Sequence, residues 1–432
     1  MIIKNLLSIQ ASNIKNLVST YAVNIKNIVY FFMPSIIGLL INLVTFPIFS
    51  EYLSSYDFAV LGYYEAVAQI FLPIMNLSFF SFYMRDFFKR SDEENKVVRA
   101  TLVIFLLCIN IVIILIGLIL LFIYFYWMEV TFPIFPYAIL SLGAIYFSVF
   151  IGFLGIDYKL KKQGLKFFAL QSINVLLPVS LGLYLVAILD FGATGRMLGT
   201  LIAQLLLGVF AIRIMFRKVK FEFDIIKKAL TFGFPLILIA LLDIPTTYID
   251  RLILERQSDI DTFALYSIGL KMSGILFALG SAVYQAFEPD LYKQATQNKL
   301  GKFLQIIVIV FGFLIVINVT FSFFAEPIIS LLTSDRYTDS YQYANIIIWS
   351  NLFLLLSYAL AIILIVQNKS KLLLYVQIVV ALFGATIFML FIHYWKFVGA
   401  GYAKVLIHFA NCLLLILLIW ISKKNFKLKG EN

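Results

Sequence analysis

The chain is divided into twelve apolar runs, each close to the roughly 17–25 residues with which an α-helix crosses the hydrocarbon of a bilayer. The first six are Phe31–Phe49, Phe58–Phe80, Val97–Trp127, Phe132–Ile156, Phe167–Leu189 and Leu198–Phe216. The second six are Phe232–Ile253, Phe263–Phe287, Phe303–Phe324, Tyr343–Val366, Leu372–His393 and Val398–Ile421. A backbone in hydrocarbon must satisfy its own N–H and C=O groups, and a continuous run does so only as a helix. The sequence therefore predicts an all-α membrane protein with twelve transmembrane helices. Composition agrees: 62% of the 432 residues are hydrophobic and 13% charged, against about 25% charged in a soluble domain. Soluble enzymes, disordered chains and disulfide scaffolds are excluded. Val97–Trp127 is long for one crossing and is expected to tilt or extend into the interface.

The cations alternate with these runs. Of the 34 lysines and arginines, one side receives only Arg196, Arg251, Arg256, Arg336 and Lys396, and Lys271 and Lys404 fall within runs. All the others collect on the opposite side, which the positive-inside rule assigns to the cytoplasm together with both termini. Adding or dropping one helix would destroy the alternation, so it supports the count of twelve. It also accounts for the net charge of +11 without nucleic acid. Cys108 and Cys412 lie inside apolar runs and read as small buried hydrophobes. No cleavable signal is expected, because no apolar core precedes Phe31.

A weak internal repeat runs through the chain. "IKNIVYFFMP" from Ile25 matches "IKKALTFGFP" from Ile226, "YDFAVLGYYEA" resembles "IDTFALYSIGL", and "DFGATG" resembles "KFVGAG", all in the same order. Six runs per half bring both halves in from the same side, so the repeat is parallel, about an axis along the membrane normal. The expected organisation is an N-terminal segment (1–27), a first six-helix bundle (28–218), a second (219–421) and a basic tail (422–432). Within the first segment "IKN" recurs at Ile3, Ile14 and Ile25, a period near three helical turns that favours an amphipathic helix on the inner leaflet.

Catalytic signatures are missing. "LGKF" at Leu300–Phe303 lacks the glycine and hydroxyl of a phosphate-binding loop, and two histidines with two scattered cysteines make no metal motif. "DID" at Asp259–Asp261 reads as a solvated acidic turn. Ionisable residues inside spans are costly and usually face a bundle interior or a watery cavity. Here they form stripes at helical spacing. Ser267, Lys271, Gly274, Ala278, Ser281 and Gln285 share one face of the eighth span, and Lys404, His408 and Asn411 one of the twelfth. Glu65, Gln69 and Asn76 line up on the second, Asp243, Thr246, Thr247 and Asp250 on the seventh, and the repeat sets Asn42 opposite Asp243. Gly274 and Ala278 are explained by close helix packing alone; Lys271, about 12 Å into its span at 1.5 Å per residue, is expected to line a cavity. Asp250 with Arg251, and Arg85 with Asp86, end spans and have the simpler reading of interfacial anchors. Pro34, Pro47, Pro73, Pro178, Pro235 and Pro245 supply kinks or hinges.

"KKALTFGFPL", "YIDRLIL" and "FALYSIGLKM", followed by "EPDLY", "PIISLLTSDRY", "VQNKSK" and "VGAGYA", resemble the second half of polysaccharide flippases. These belong to the multidrug/oligosaccharidyl-lipid/polysaccharide (MOP) exporter superfamily, and the closest match is its O-antigen flippase group. In the first half "YDFAVLGYYEA", "MRDFFKR" and "FGATG" correspond. The resemblance implies a two-lobed, V-shaped bundle in the bacterial inner membrane, with a central cationic cavity. Its cargo would be an undecaprenyl-pyrophosphate-linked oligosaccharide moved to the outer leaflet, with membrane lipids, a polysaccharide polymerase and a chain-length regulator as partners. It implies no cofactor and leaves proton or sodium coupling open. Asp250 and Arg251 match the family's Asp-Arg pair, and Lys271 falls where a basic residue is common. The first span has no cation and the second carries Glu65, a departure from the more basic members. The candidate cavity residues are thus Lys271, Lys404, His408, Arg85, Arg251, Asp250, Asp243, Glu65, Gln69, Asn42 and Gln285. A drug/cation antiporter of the same superfamily is the alternative, since Asp243 and Glu65 are acids within spans. A polymerase or membrane glycosyltransferase fits less well, because the longest external connection, Ala325–Gln342, is short.

Overall fold

The computed structural model describes residues 30, 33–216, 221–257, 259–367 and 369–427. The expected amphipathic helix over 1–27, the boundary at 218/219 and the end of the tail lie outside the described residues. The first half comprises α1 (Met33–Tyr52), α2 (Ser55–Asn76), a short α3 (Phe79–Asp86), α4 (Asp92–Met128), α5 (Tyr137–Leu160), α6 (Gly164–Leu183, continued by a π-helical turn to Ile188) and α7 (Gly192–Met215). The second comprises α8 (Phe223–Leu242), the short α9 (Ile244–Thr247) and α10 (Ile249–Leu254), α11 (Ile260–Thr296), α12 (Leu300–Thr333), α13 (Ser340–Val366) and α14 (Ser370–Lys427). Among the described residues there is no strand.

Among the described residues eleven helices are long and apolar enough to cross a membrane, and the last of them, Lys371–Ile421, is 51 residues long. That is two crossings. Lys396 interrupts it with φ 49° and ψ −128°, so the chain reverses there and the twelve predicted runs are accommodated. The long third run is one helix of 37 residues.

Local chemistry sets the ends. Ser54 caps α2 and Ser91 caps α4, each in a capping box with the acid three residues on, Asp57 and Glu94. Asp57 also accepts the Ala193 amide at 2.7 Å, tying the start of α2 to the start of α7. Two runs predicted as single helices are broken. Leu77 and Ser78 take positive φ, ending α2 and starting α3 inside the run Phe58–Phe80. The run Phe232–Ile253 stops at Asp243: Pro245 offers no N–H to the turn before it, and the Thr246 hydroxyl donates to the Asp243 carbonyl at 2.9 Å.

The two halves meet along a seam dominated by α2 on α11. Gly62 permits the approach, since a Cβ there would overlap the Ser267 hydroxyl. At the end away from the basic loops the seam is shut. Arg336 donates to the Ser50 carbonyl at 2.7 Å and to that of Glu51, and Tyr337 to that of Leu53 at 2.8 Å. The Thr131 amide donates to the Glu255 carboxylate, and Arg256 reaches the Met128 sulfur. Aromatic rings fill the gaps, Phe58 on Tyr337 at 5.2 Å and Phe132 on Phe263 at 5.9 Å between centroids. At the basic end the halves touch where α8 lies on α3 and α4, with Ile226 and Ala229 buried among Phe79, Phe82 and Val98.

Candidate functional site: a cavity between the halves

Beneath the closed end lies a cavity of about 600 Å³. The first half contributes Glu65 and Gln69 of α2; the second contributes the break after α8, with Asp243, Thr246, Thr247 and Arg251, and faces of α11, α13 and α14. On α14 these are Lys404, His408 and Asn411. A second cavity of about 740 Å³ lies between α1, α6 and α11, bounded by Asn42, Gln171 and Gln285 and reaching Lys159. Lys271 and Gly274 line both. A Cβ on Gly274 would meet nothing within 4 Å, so this glycine leaves space beside Lys271 and is not a helix-packing contact, contrary to the sequence expectation.

Lys271 is exposed to this space. Its ammonium lies 5.4 Å from the centre of the Phe46 ring, and among the described residues no carboxylate comes within ion-pairing distance of it. The lysine that is paired is Lys404. Its ammonium lies 3.1 Å from Asp250 Oδ2 and donates to the Thr247 carbonyl at 2.6 Å, while the Tyr266 hydroxyl donates to the same carboxylate oxygen at 2.5 Å.

This corrects the anchor reading of Asp250 and Arg251. They sit in α10, past the break that ends α8, and are 0% and 8% exposed. Asp250 stands behind the cavity wall as the partner of Lys404. Arg251 lines the cavity and also donates from Nη1 to the Gly62 carbonyl across the seam at 3.1 Å. Several polar atoms near this wall are buried without a protein partner among the described residues: Arg251 Nε, Asp250 Oδ1, Ser267 Oγ, His408 Nδ1 and Asn411 Oδ1.

Arg85 is the candidate that the structure sets apart. It lies at the basic end, outside both cavities, bound to Asp86 at 2.5 Å and stacked 4.3 Å from the centre of the Phe232 ring. There it holds the Asp86 carboxyl below the usual carboxylate range, with Lys89 assisting. The cavity is also of mixed sign. Glu65 and Asp243 line it without a cation in pairing range among the described residues, beside Lys271, Arg251 and Lys404, where the resemblance implied a cationic lumen.

Sequence reasoning missed two groups. Arg196, counted with the far-side loops, turns inward: Nη1 donates to the Pro178 carbonyl at 2.9 Å and the guanidinium lies 4.6 Å from the Phe49 ring centre. Asp157, at the end of the fourth run, is 1% exposed and accepts from Arg99 and Lys161 on Oδ2 and from Tyr83 on Oδ1, each at 2.7 Å. An acid beside an apolar run and three nearby lysines was the available signal. Among the described residues no group of three His, Cys, Asp or Glu could hold a metal ion.

No family model matches the sequence, and no curated protein matches it. Solved structures do. An inward-facing multidrug resistance MATE family transporter of the MOP superfamily superposes with a TM-score of 0.68 at 15% identity, over 92% of this chain and 99% of that one. This chain therefore has the fold of that transporter. The lipid II flippase MurJ in an inward closed conformation gives 0.65 at 17% identity, covering 91% and 87%. The Vibrio cholerae MATE transporter VcmN in its bent form gives 0.54 at 15%, covering 92% and 97%.

Proposed function

We propose that the protein is a flippase that carries an undecaprenyl-pyrophosphate-linked oligosaccharide, of O-antigen or capsule type, from the inner to the outer leaflet of a bacterial cytoplasmic membrane by alternating access. Lys271 carries this reading. It is an unpaired ammonium deep in a membrane protein, shared by two cavities, on a face of small and polar residues. Leaving a cation in hydrocarbon costs several kcal/mol, and a pyrophosphate supplies strong acceptors for a charge-assisted bond. Amides and hydroxyls around it, such as Gln69, Asn351 and Gln377, suit a glycan. Both termini would be cytoplasmic, and a polymerase and chain-length regulator would act on the product.

Deleting the gene should cause lipid-linked repeat units to accumulate on the inner leaflet, and complementation should clear them. Lys271→Arg should keep much of the surface polysaccharide and Lys271→Ala should abolish it at equal protein level. Full display with Lys271→Ala would remove Lys271 from the substrate path.

A drug/cation antiporter is the second reading, favoured by the two unpaired carboxylates, Glu65 and Asp243, in the same cavity. Proton- or sodium-dependent efflux of organic cations from vesicles, lost with Asp243→Asn and insensitive to Lys271→Ala, would decide for it.

A further inference from the structure

Arg251 belongs to two structures at once. It lines the main cavity, and its Nη1 closes the seam by donating to the Gly62 carbonyl at 3.1 Å. Its carboxylate neighbour in sequence is engaged elsewhere: Asp250 Oδ2 takes Lys404 and Tyr266, and no ion pair to Arg251 forms among the described residues. Arg251 is 8% exposed, and its Nε is buried with no protein partner among the described residues. A buried cation so placed is undersatisfied. A carbonyl offers it one neutral acceptor, whereas a phosphate offers a planar, bidentate pair of charged ones. Both bonds have a charged donor, but the phosphate adds an opposite charge and a second parallel hydrogen bond.

We propose that Arg251 is a substrate-sensing latch: a phosphoryl anion in the cavity takes its guanidinium from the Gly62 carbonyl and thereby loosens the closed end of the seam. This rests on the flippase reading above for the anionic character of the cargo. The position of the latch fits that task, because at Gly62 α2 packs against Ser267 of α11 with no room for a Cβ. Once the bond there is lost, the closed end rests on the remaining contacts, among them those of Arg336, Tyr337 and Glu255. The arrangement makes opening conditional on cargo: an empty cavity leaves Arg251 on Gly62, and a filled one does not.

The test uses purified full-length protein in detergent, with Cys108→Ala and Cys412→Ala as background and Leu53→Cys as reporter. Leu53 is 1% exposed, and its carbonyl accepts the Tyr337 hydroxyl, so a cysteine there reacts with a maleimide only when the closed end opens. Arg251→Ala should raise the labelling rate at least fivefold without any ligand, and Arg251→Lys should return it most of the way. Millimolar pyrophosphate should raise labelling of the Arg251 protein and leave Arg251→Ala unchanged. Labelling that is indifferent to Arg251→Ala overturns the latch, and so does a pyrophosphate response that survives in Arg251→Ala. Binding of radiolabelled pyrophosphate, measured alongside, separates the two proposals. Binding without a labelling response overturns the latch alone; no binding overturns the latch and the anionic cargo together. Size-exclusion profiles establish that each variant is folded, and Arg251→Gln, which removes the charge, carries the test if the alanine variant is not.

Discussion

At the scale of single residues, the chain holds its charges in two ways, and the difference predicts how each responds to mutation. Asp157 is a satisfied acceptor, with Arg99, Lys161 and Tyr83 on its two oxygens. Removing one member of a buried pair leaves the other uncompensated and costs about 3–5 kcal/mol. Asp157→Ala should therefore lower the melting temperature in detergent by many degrees, while the double variant Asp157→Leu with Arg99→Leu should recover part of the loss. A double variant no better than the single would mean that Arg99 finds water. Lys271, in contrast, has nothing to lose in stability, and its alanine variant should melt as the parent does. Which lysine was paired was not legible in the sequence. Lys271 and Lys404 each lie within a run, and Asp243, Asp250 and Glu65 were all available acids; the choice of Asp250 for Lys404 depends on the break between α8 and α10, which periodicity does not report. That Lys271 lay on a polar stripe, by contrast, followed from helical spacing alone.

At the scale of elements, apolar length was the readable quantity and backbone breaks were not. Every predicted run has its helix, because hydrocarbon leaves the backbone no other solution. The breaks after Asn76 and at Asp243 lie inside apolar runs, where hydropathy is blind. Pro245 was expected to kink or hinge its span and does stand at a helix break, but Leu77 and Ser78 carry no sequence signal for positive φ. Lys396 is the sharpest case: φ 49° with ψ −128° is a region that side chains rarely occupy. Lys396→Gly should stabilise the protein by about 1 kcal/mol or more through relief of that strain, read as a higher melting temperature. Gly62 makes the opposite prediction. Gly62→Val must push Ser267 away and separate α2 from α11, so the closed end should label faster at Leu53→Cys even though Arg251 is intact. Unchanged labelling would show that the seam absorbs the added volume.

At the scale of the whole molecule, the alternation of basic loops gives an orientation that labelling can check. With an impermeant reagent on intact cells, Asp259→Cys should react and Lys161→Cys should be spared; the reverse pattern would invert the protein in the membrane. The parallel repeat and the two-bundle plan were legible because both follow from counting crossings. The mixed sign of the cavity was not, since it depends on which faces of α2 and α8 turn inward. The closed seam has one further property. Five of its six polar contacts set a side chain of the second half, Arg251, Arg336, Tyr337 or Glu255, against main-chain atoms of the first. Main-chain carbonyls are the same whatever residue bears them, and so is the N–H of every residue but proline. Codons for Ser50, Glu51, Leu53 and Thr131 are therefore free to drift without erasing the contacts, while those for the four second-half residues are not. Evolution can remodel the first half around a new cargo and inherit the closure unchanged.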